Sequence, residues 1–251
     1  FLCCGAIHTN SLLLKSPVSI GKRKTIRKFY LHPMLKALAK YPDNIQKMNS
    51  DITPLQITEH YPNYIIGNAA SSLQFQIMPF HNKKDLTKLI KENFKKTIIF
   101  HTTFSLGVGK IYNMPFTKDV IPMYFLSKKD KNQINKGFQD LFSFIKQSGA
   151  EYLIPLTKTI KKPIYFNKKQ SDATHLQSSI NHNLSSVHIM GGVTSGENKE
   201  CVVDSYGHFH GHKNLFVNDS SLINTKLLKN PQGTVLTIAL RNIDYFLRTY
   251  N

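Results

Sequence analysis

The sequence predicts an α+β fold, an antiparallel sheet with flanking helices that pack on one of its faces. Three observations carry this prediction. Apolar residues recur at helical spacing over residues 85–96. Residues 97–126 then contain three runs rich in β-branched and aromatic residues, separated by glycine and proline. Residues 127–147 return to helical spacing and end just before Gly149, a residue suited to a helix C-terminus.

The elements follow in order along the chain. Residues 1–4 read as a short strand, and the leucines at 12–14 predict a buried helical turn that ends before Pro17. Asp85 is a candidate N-cap for the helix over 85–96. The three β-rich runs that follow are expected to form one antiparallel sheet, and their bounds are 97–105, 110–114 and 120–126.

The carboxy-terminal third is less regular until its end. Residues 158–169 are rich in lysine, and residues 172–183 are polar and weakly helical, so both are expected at the surface. Residues 215–217 predict a buried strand, and residues 232–248 predict an amphipathic helix.

Composition limits the classes of protein that fit. The chain has 251 residues, 41% of them hydrophobic, which is enough for a substantial core. Its three cysteines give no even-numbered disulfide framework, and no apolar run is long enough for a membrane span. The net charge of +18 is compatible with a nucleic-acid-binding module, but the lysines are scattered and no RNA-type aromatic motif accompanies the basic run at 21–28. We therefore expect no nucleic-acid partner.

Residues that could act in catalysis or ligand binding are concentrated in the last part of the sequence. His188 precedes the pair Gly191-Gly192, which allows close approach of a ligand to the backbone, and a histidine can accept a proton. Asp219 and Asn230 follow, the latter just ahead of a predicted helix whose N-terminus would favour an anion. His208, His210 and His212 alternate as metal ligands on a strand do, but a metal site would also need a carboxylate or thiolate and a second shell of supporting groups, so no metal site is expected.

Several stretches share their order and spacing with one family. They are 5–16 (GAIHTNSLLLKS), 187–196 (VHIMGGVTSG), 202–204 (VVD), 210–221 (HGHKNLFVNDSS) and 230–232 (NPQ). Together they resemble the signatures of the glucose–methanol–choline (GMC) oxidoreductase family. The family's amino-terminal Gly-x-Gly-x-x-Gly fingerprint, which binds the pyrophosphate of FAD, is absent from this sequence.

The resemblance implies a division into domains. Residues 1–30 would be a segment of an FAD-binding domain, residues 31–180 the substrate-binding domain, and residues 181–251 the carboxy-terminal part of the FAD-binding domain. The expected function is that of the carboxy-terminal portion of an FAD-dependent oxidoreductase. It would transfer a hydride from the CH–OH group of a small alcohol, sugar or polyol to the flavin.

The resemblance also implies roles for residues of the site. His188 would be the catalytic base that removes the hydroxyl proton, and Asn230 its partner in holding the substrate oxygen. The cofactor would be FAD, and the residues that would bind it are Asp219, Ser220, Pro231 and Gln232.

Two alternatives stay open at this point. The chain could be an inactive truncated fragment, or a split subunit that needs a separate amino-terminal FAD-binding chain; the absent fingerprint favours either. A basic nucleic-acid-binding module is the second alternative, and a steep salt dependence of binding would distinguish it.

Overall fold

The computed structural model describes residues 1–16, 27–45, 55–69, 72–114, 117, 120–157, 160–167, 184–198 and 200–250. The chain forms two compact units. Unit 1 contains Phe1–His32, Ser105–Ser127 and Ser186–Asn251, and unit 2 contains Pro33–Phe104 and Lys128–Ser185. The predicted polar segment 172–183 lies outside the described residues, as does most of the basic run at 21–28.

Unit 2 is built on a six-stranded antiparallel sheet. Its strands are β2 (Met34–Lys40), β3 (Gln56–Ile57), β4 (Tyr64–Ala69), β5 (Thr97–Phe104), β8 (Tyr152–Pro155) and β9 (Ile164–Tyr165). They lie in the order β3-β4-β5-β2-β8-β9. Among the described residues of this unit, the helices are α2 (Leu73–Ile77), α3 (Lys84–Glu92) and α4 (Lys128–Gln147).

The helices of unit 2 cover both faces of this sheet. Ile99 of β5 packs in a core cluster with Leu86 and Ile90 of α3. The hydroxyl of Thr102, also on β5, donates a 3.1 Å hydrogen bond to the carbonyl of Gly137 on α4. Because odd and even residues of a strand point to opposite faces, α3 and α4 lie on opposite sides. The predicted antiparallel sheet with flanking helices is confirmed, but the expectation that they share one face is wrong.

Both long helices of unit 2 follow the predicted periodicity. The apolar positions of α4 are buried, and Gly149 beyond its end has a φ of 87°, as a left-handed helix terminus requires. Helix α3 is shorter than predicted, because the chain tightens into a 3-10 turn at Phe94–Lys96. Its N-cap is Lys83, so Asp85 lies in the first turn instead, where its charge still favours the helix dipole.

Unit 1 combines a small sheet with two helices. Its elements are α1 (Gly5–Lys15), β1 (Lys28–Leu31), β6 (Val108–Asn113), β7 (Val120–Phe125), β10 (Ile189–Met190) and α5 (Gln232–Tyr250). The four strands lie in the order β10-β1-β6-β7, and each neighbouring pair is antiparallel. A 3-10 turn at Ser220–Leu222 packs against α1.

The three β-rich runs belong to two sheets, which corrects the single sheet expected from the sequence. Strand β5 pairs with β2 and β4 in unit 2, whereas β6 and β7 pair with each other, and β6 also with β1, in unit 1. The chain turns between β5 and β6 at Gly107, which has a φ of 65°. Residues 105–127 therefore lie outside the unit that holds most of the predicted 31–180 domain. What each unit binds stays a prediction.

A second core cluster lies in unit 1. Leu2 packs against this cluster. Its backbone N–H donates a hydrogen bond to Phe216 O (2.7 Å), and its carbonyl accepts one from Asn218 N (2.9 Å). The predicted strands at 1–4 and 215–217 are present only as isolated bridges, because these segments pair over single residues. The buried members of the cluster are Leu13, Val193, Val202, Val203, Phe209, Val217 and Leu222.

Helix α5 carries apolar residues on two faces. Ile238 packs against the core of unit 1, and Asn242 is buried and donates to Asn218 Oδ1. The outer face exposes a row of large apolar side chains: Leu236, Leu240, Ile243, Leu247 and Tyr250. In the described part of the chain, no helix has both the length and the apolar character that a membrane crossing requires.

Candidate active site

His188 lies at the edge of the small sheet in unit 1. It directly precedes β10, which pairs with β1 so that Leu31 faces Ile189 and Tyr30 faces Met190. The side chain of His188 is half-buried. The sheet therefore fixes the backbone on which the predicted base is carried.

The glycine pair after β10 has a role that the sequence did not reveal. Gly191 and Gly192 have φ values of 87° and 115°, which side-chain-bearing residues rarely adopt. A Cβ atom on Gly192 would meet the side chain of Asn10 at 1.9 Å, and one on Gly191 would meet the ring of Tyr30 at 2.8 Å. The glycines thus allow close packing within the protein, where the sequence had predicted close approach of a ligand.

Asp219 connects the two ends of unit 1. One carboxylate oxygen accepts hydrogen bonds from Gly5 N (2.9 Å) and Thr9 Oγ1 (2.5 Å), and the other accepts from Ser221 N (2.7 Å). The carbonyl of Ser220 accepts from Gly191 N at 3.0 Å. The carboxylate of Asp219 therefore holds the N-terminus of α1 and the 3-10 turn, close to the segment that follows His188.

Asn230 and Pro231 directly precede α5, and Gln232 is its first residue. Asn230 and Gln232 are exposed, whereas Pro231 is buried and its carbonyl accepts from Val235 N at 2.8 Å. Free backbone N–H groups at a helix N-terminus attract negative charge. The three residues thus stand where a flavin or a substrate anion could be bound, and their part in cofactor binding stays a prediction.

The structure brings a second histidine against the predicted base. The Nδ1 atoms of His32 and His188 lie 3.2 Å apart, and the two rings meet edge to face with centroids 5.2 Å apart. The backbone N–H of His32 also donates to the carbonyl of His188 at 3.4 Å, which extends the β1–β10 ladder by one pair. His32 is only 1% exposed. The pair is thus a buried histidine behind a half-buried one.

His32 is held in its neutral form. Its pKa is lowered to about 4, mainly because burial disfavours the charged ring and also because charge on His188 repels it. A backbone hydrogen bond with Leu227 acts in the opposite direction. Leu227 precedes Asn230 by three residues, so the segment leading to Asn230 passes close to the histidine pair.

Sequence reasoning did not identify His32. It lies 156 residues from His188 and is marked only by its position at the end of a β-rich run, before Pro33. No local motif joins the two histidines, since their contact depends on the pairing of β1 with β10.

Two of the alternating histidines contact backbone carbonyls through their rings. His208 Nε2 lies 2.7 Å from the carbonyl of His212, and His210 Nε2 lies 3.0 Å from the carbonyl of Gly196. The ring of His208 also stacks on Phe216. Among the described residues no group of three or more metal-ligating side chains is assembled.

Unit 2 contains a cavity of about 820 Å³. Its lining combines apolar residues such as Met78 and Leu156 with the cationic Lys83. The ammonium group of Lys83 donates to the carbonyls of Ile160 and Thr157. Burial lowers the pKa of Lys83. A cavity of this size suits a small molecule.

Several residues of unit 1 fit an extended polar cofactor. The polar atoms Asn10 Oδ1, His32 Nε2 and Ser221 Oγ are buried and have no hydrogen-bond partner among the described residues. Asn10 and Ser221 both border the 191–193 segment, since Asn10 Nδ2 donates to Gly191 O (3.1 Å) and the carbonyl of Ser221 accepts from Val193 N (3.0 Å). Such atoms, with the α5 N-terminus, can contact one side of a flavin, but the chain has no pyrophosphate fingerprint.

Comparison with known proteins points to one family. A family model described as GMC oxidoreductase matches residues 113–239, just over half of the chain. An uncharacterized GMC-type oxidoreductase of Sinorhizobium fredii is 25% identical over 250 residues, which is 96% of this chain and 48% of that protein.

Solved structures share the fold at low sequence identity. Pyridoxine 4-oxidase from Mesorbium loti superposes with a TM-score of 0.60 at 12% identity, covering all of this chain and 51% of that one. A variant of the formate oxidase of Aspergillus oryzae RIB40, made to study FAD modification, gives a TM-score of 0.60 at 12% identity and covers 54% of its chain. The chain thus spans about half the length of the relatives it matches.

Proposed function

Because the chain belongs to the GMC oxidoreductase family, we propose that it supplies the carboxy-terminal part of an FAD-dependent oxidoreductase acting on CH–OH donors. The observation that carries this proposal is the family match, which includes His188, Asp219 and Asn230. The position of His188 on a sheet edge, backed by His32, is what a fixed proton acceptor needs.

In the proposed reaction, a bound alcohol loses a proton from its hydroxyl group and a hydride from the adjacent carbon. The flavin, when bound, accepts the hydride and its electron pair, and the product is the aldehyde, ketone or lactone. Nε2 of His188 accepts the proton as the C=O bond forms. Asn230 donates a hydrogen bond to the substrate oxygen and holds the carbon in line for transfer.

We assign the flavin contacts to two places in unit 1. Pro231 directly precedes α5 and Gln232 is its first residue, and the positive N-terminal end of this helix would favour negative charge on the flavin. Ser220 and its neighbour Asp219 lie in the 3-10 turn region beside Gly191. Since the Asp219 carboxylate already accepts three hydrogen bonds, its segment would contact the cofactor through backbone groups.

We assign substrate recognition to unit 2. Its cavity of about 820 Å³ is of the size that binds small molecules, and Lys83 with its neighbouring carbonyls gives the wall polar groups that suit hydroxylated substrates. The proposed substrates are small alcohols, sugars or polyols.

The rest of the flavin site would come from an amino-terminal half that bears the Gly-x-Gly-x-x-Gly fingerprint. The chain covers 48% of its relative from Sinorhizobium fredii, so a second half of similar length exists in that protein. The alternative function is a split subunit or an inactive fragment, which is favoured by the same observation.

The test is FAD binding, followed by visible absorbance and by quenching of flavin fluorescence. The chain is titrated alone and together with a polypeptide of the same genome that bears the fingerprint, and that polypeptide alone is the control. We expect stable binding only in the combined sample, followed by bleaching of the flavin when primary alcohols, sugars or polyols are added without oxygen. Failure of the combined sample to bind FAD would refute the proposal, and binding without bleaching by any donor would favour the inactive alternative.

A further inference from the structure

Helix α5 has apolar residues on two opposite sides. One side faces unit 1, where Ile238 packs against the core and Asn242 is buried. The opposite side presents four large aliphatic side chains that are between 38% and 63% exposed: Leu236, Leu240, Ile243 and Leu247. We call these four residues the outer stripe. A contiguous exposed apolar surface of this kind marks a site of interaction.

The outer stripe is straight and narrow. Its members are separated by four, three and four residues, so on a helix of 3.6 residues per turn they lie within about 60° of one another. At 1.5 Å per residue the stripe is about 17 Å long. Apolar residues at this spacing pack against a second helix or a sheet.

The inner side of α5 holds the helix in place. The ring of Phe246 meets those of Phe1 and Phe216 edge to face, with centroids 5.1 and 5.2 Å away. Tyr245 stacks on Tyr206 with centroids 3.8 Å apart. The stripe is therefore presented by an anchored helix, and a partner that binds it need not order the helix first.

The stripe begins beside the proposed flavin contacts. Gln232 is the first residue of α5, and Leu236 follows one turn later. The chain covers 48% of its relative from Sinorhizobium fredii and 51% of pyridoxine 4-oxidase, so each of these proteins contains about as much polypeptide again. A polypeptide that completes the flavin site approaches this end of α5 and meets the stripe next.

We propose that the outer stripe is the docking surface for the polypeptide that bears the Gly-x-Gly-x-x-Gly fingerprint. The partner contributes an apolar helix or sheet face that covers the stripe while its fingerprint lies towards the start of α5. The inference rests on the proposed function, because only that function calls for such a partner.

Two other occupants suit the stripe less well. A second copy of the chain would bring together two molecules that each carry a net charge of +18, and these repel one another. A helix that lies on a membrane carries lysine or arginine available to the lipid. Both arginines of α5 are engaged within the protein, Arg241 with the carbonyl of Ser205 and Arg248 with the carboxylate of Asp244.

The affinity between this chain and a fingerprint-bearing polypeptide of the same genome tests the proposal. Binding is followed by biolayer interferometry with FAD present. Leu240→Glu places a charge in the middle of the stripe and should raise the Kd at least about 30-fold. Leu240→Met keeps the surface apolar and should bind like the wild type.

Leu55→Glu is the matched control. Leu55 is 68% exposed and lies in unit 2, whereas Leu240 is 63% exposed, so the same substitution is made at two equally accessible leucines. We expect no change in Kd for Leu55→Glu. An unchanged Kd in Leu240→Glu, or an equal rise in both variants, would overturn the proposal. Circular dichroism checks that each variant is folded, and Leu236→Glu replaces Leu240→Glu if the latter is not.

The chain alone reports the competing occupants. A dimer in analytical ultracentrifugation that Leu240→Glu dissociates would assign the stripe to a second copy. Binding to phosphatidylglycerol vesicles that Leu240→Glu abolishes would assign it to a lipid surface. Either result would overturn the proposal.

The outcomes also separate this inference from the proposed function. If a complex forms and Leu240→Glu weakens it, but the complex binds no FAD, the proposed function fails alone. If the complex binds FAD and alcohols reduce the flavin, while Leu240→Glu leaves the Kd unchanged, the docking surface fails alone. If no complex forms, both fail.

Discussion

Asparagine in place of Asp219 removes the charged acceptor that ties α1 to the 3-10 turn of unit 1. One of the two carboxylate oxygens becomes an amide nitrogen and can no longer accept, so at least one of the hydrogen bonds from Gly5 N, Thr9 Oγ1 and Ser221 N is lost. The remaining oxygen still accepts, but as part of a neutral amide instead of a carboxylate. The substitution is nearly isosteric, so its effect reports the lost hydrogen bonds.

The magnitude follows from the number of bonds lost. A hydrogen bond to a charged group contributes about 1.5–3 kcal/mol and one to a neutral group about 1 kcal/mol, so the loss of one bond and the weakening of the others predict a loss of about 3 kcal/mol. Local opening of α1 should then be about 100-fold more frequent, because each 1.4 kcal/mol is a factor of ten. Hydrogen exchange of peptides covering residues 5–15, read by mass spectrometry, measures this opening without assuming that both units unfold together.

Asp244→Asn is the matched control. Asp244 accepts from Arg248 on the surface of α5, where the side chains are 60% and 77% exposed, and such pairs contribute little to stability. We expect no change in exchange of residues 5–15. If Asp219→Asn behaves like Asp244→Asn, the carboxylate does not hold α1, and a direct role of Asp219 at the cofactor becomes the better explanation.

Two further predictions concern the segment around His188. Gly192→Ala should lower the free energy of unfolding by about 3 kcal/mol, because alanine disfavours this φ and its Cβ would clash with Asn10. Gly211→Ala has a φ of 83° and open space around it, so it should lower that free energy by only about 1 kcal/mol. Equal effects of the two substitutions in urea unfolding would refute the packing argument. The pKa of His32 falls from about 6.5 in an unfolded chain to about 4 in the fold, so its contribution to the free energy of unfolding should be complete above pH 6.5. That contribution, about 3 kcal/mol, is lost as the pH falls towards 4, because the unfolded chain binds the proton first. Urea midpoints at pH 7.5 and 4.5 should therefore differ less in His32→Leu than in the wild type, and an equal difference would contradict the assignment.

Elements with a strong period were predictable from the sequence. Helix α4 places Ile134, Phe138, Leu141 and Ile145 on one buried face, and the same spacing is visible in the sequence alone. The bounds of α5 were equally clear at its start, where Pro231 precedes Gln232. In each case the signal is local, so no knowledge of the tertiary structure was needed.

The centre of the large sheet was not predictable in the same way. Strand β2 has the sequence MLKALAK, whose alanine, leucine and lysine favour a helix, yet it lies between β5 and β8. Pairing on both sides outweighs its local preference. Burial on both faces also leaves no alternation of polar and apolar residues, because six of its seven residues are buried.

The candidate site was predictable only in part. His188, Asp219 and Asn230 were indicated by the resemblance to a family. His32 was not, because its contact with His188 depends on a strand pairing across 156 residues. Asp219 was indicated as a cofactor-binding residue, but the sequence did not indicate that its carboxylate accepts three hydrogen bonds from within the protein.

Single-turnover reduction of the flavin is the most direct test of the central claim that His188 is the base of a GMC-type oxidoreductase. The complete, FAD-loaded protein is mixed without oxygen with its best alcohol donor, and the wild type is compared with His188→Ala and with the control His212→Ala. We predict that His188→Ala reduces its flavin about 10²- to 10⁴-fold more slowly, with an unchanged flavin spectrum before mixing, while the control keeps the wild-type rate. Reduction of the His188→Ala flavin at the wild-type rate would contradict the account.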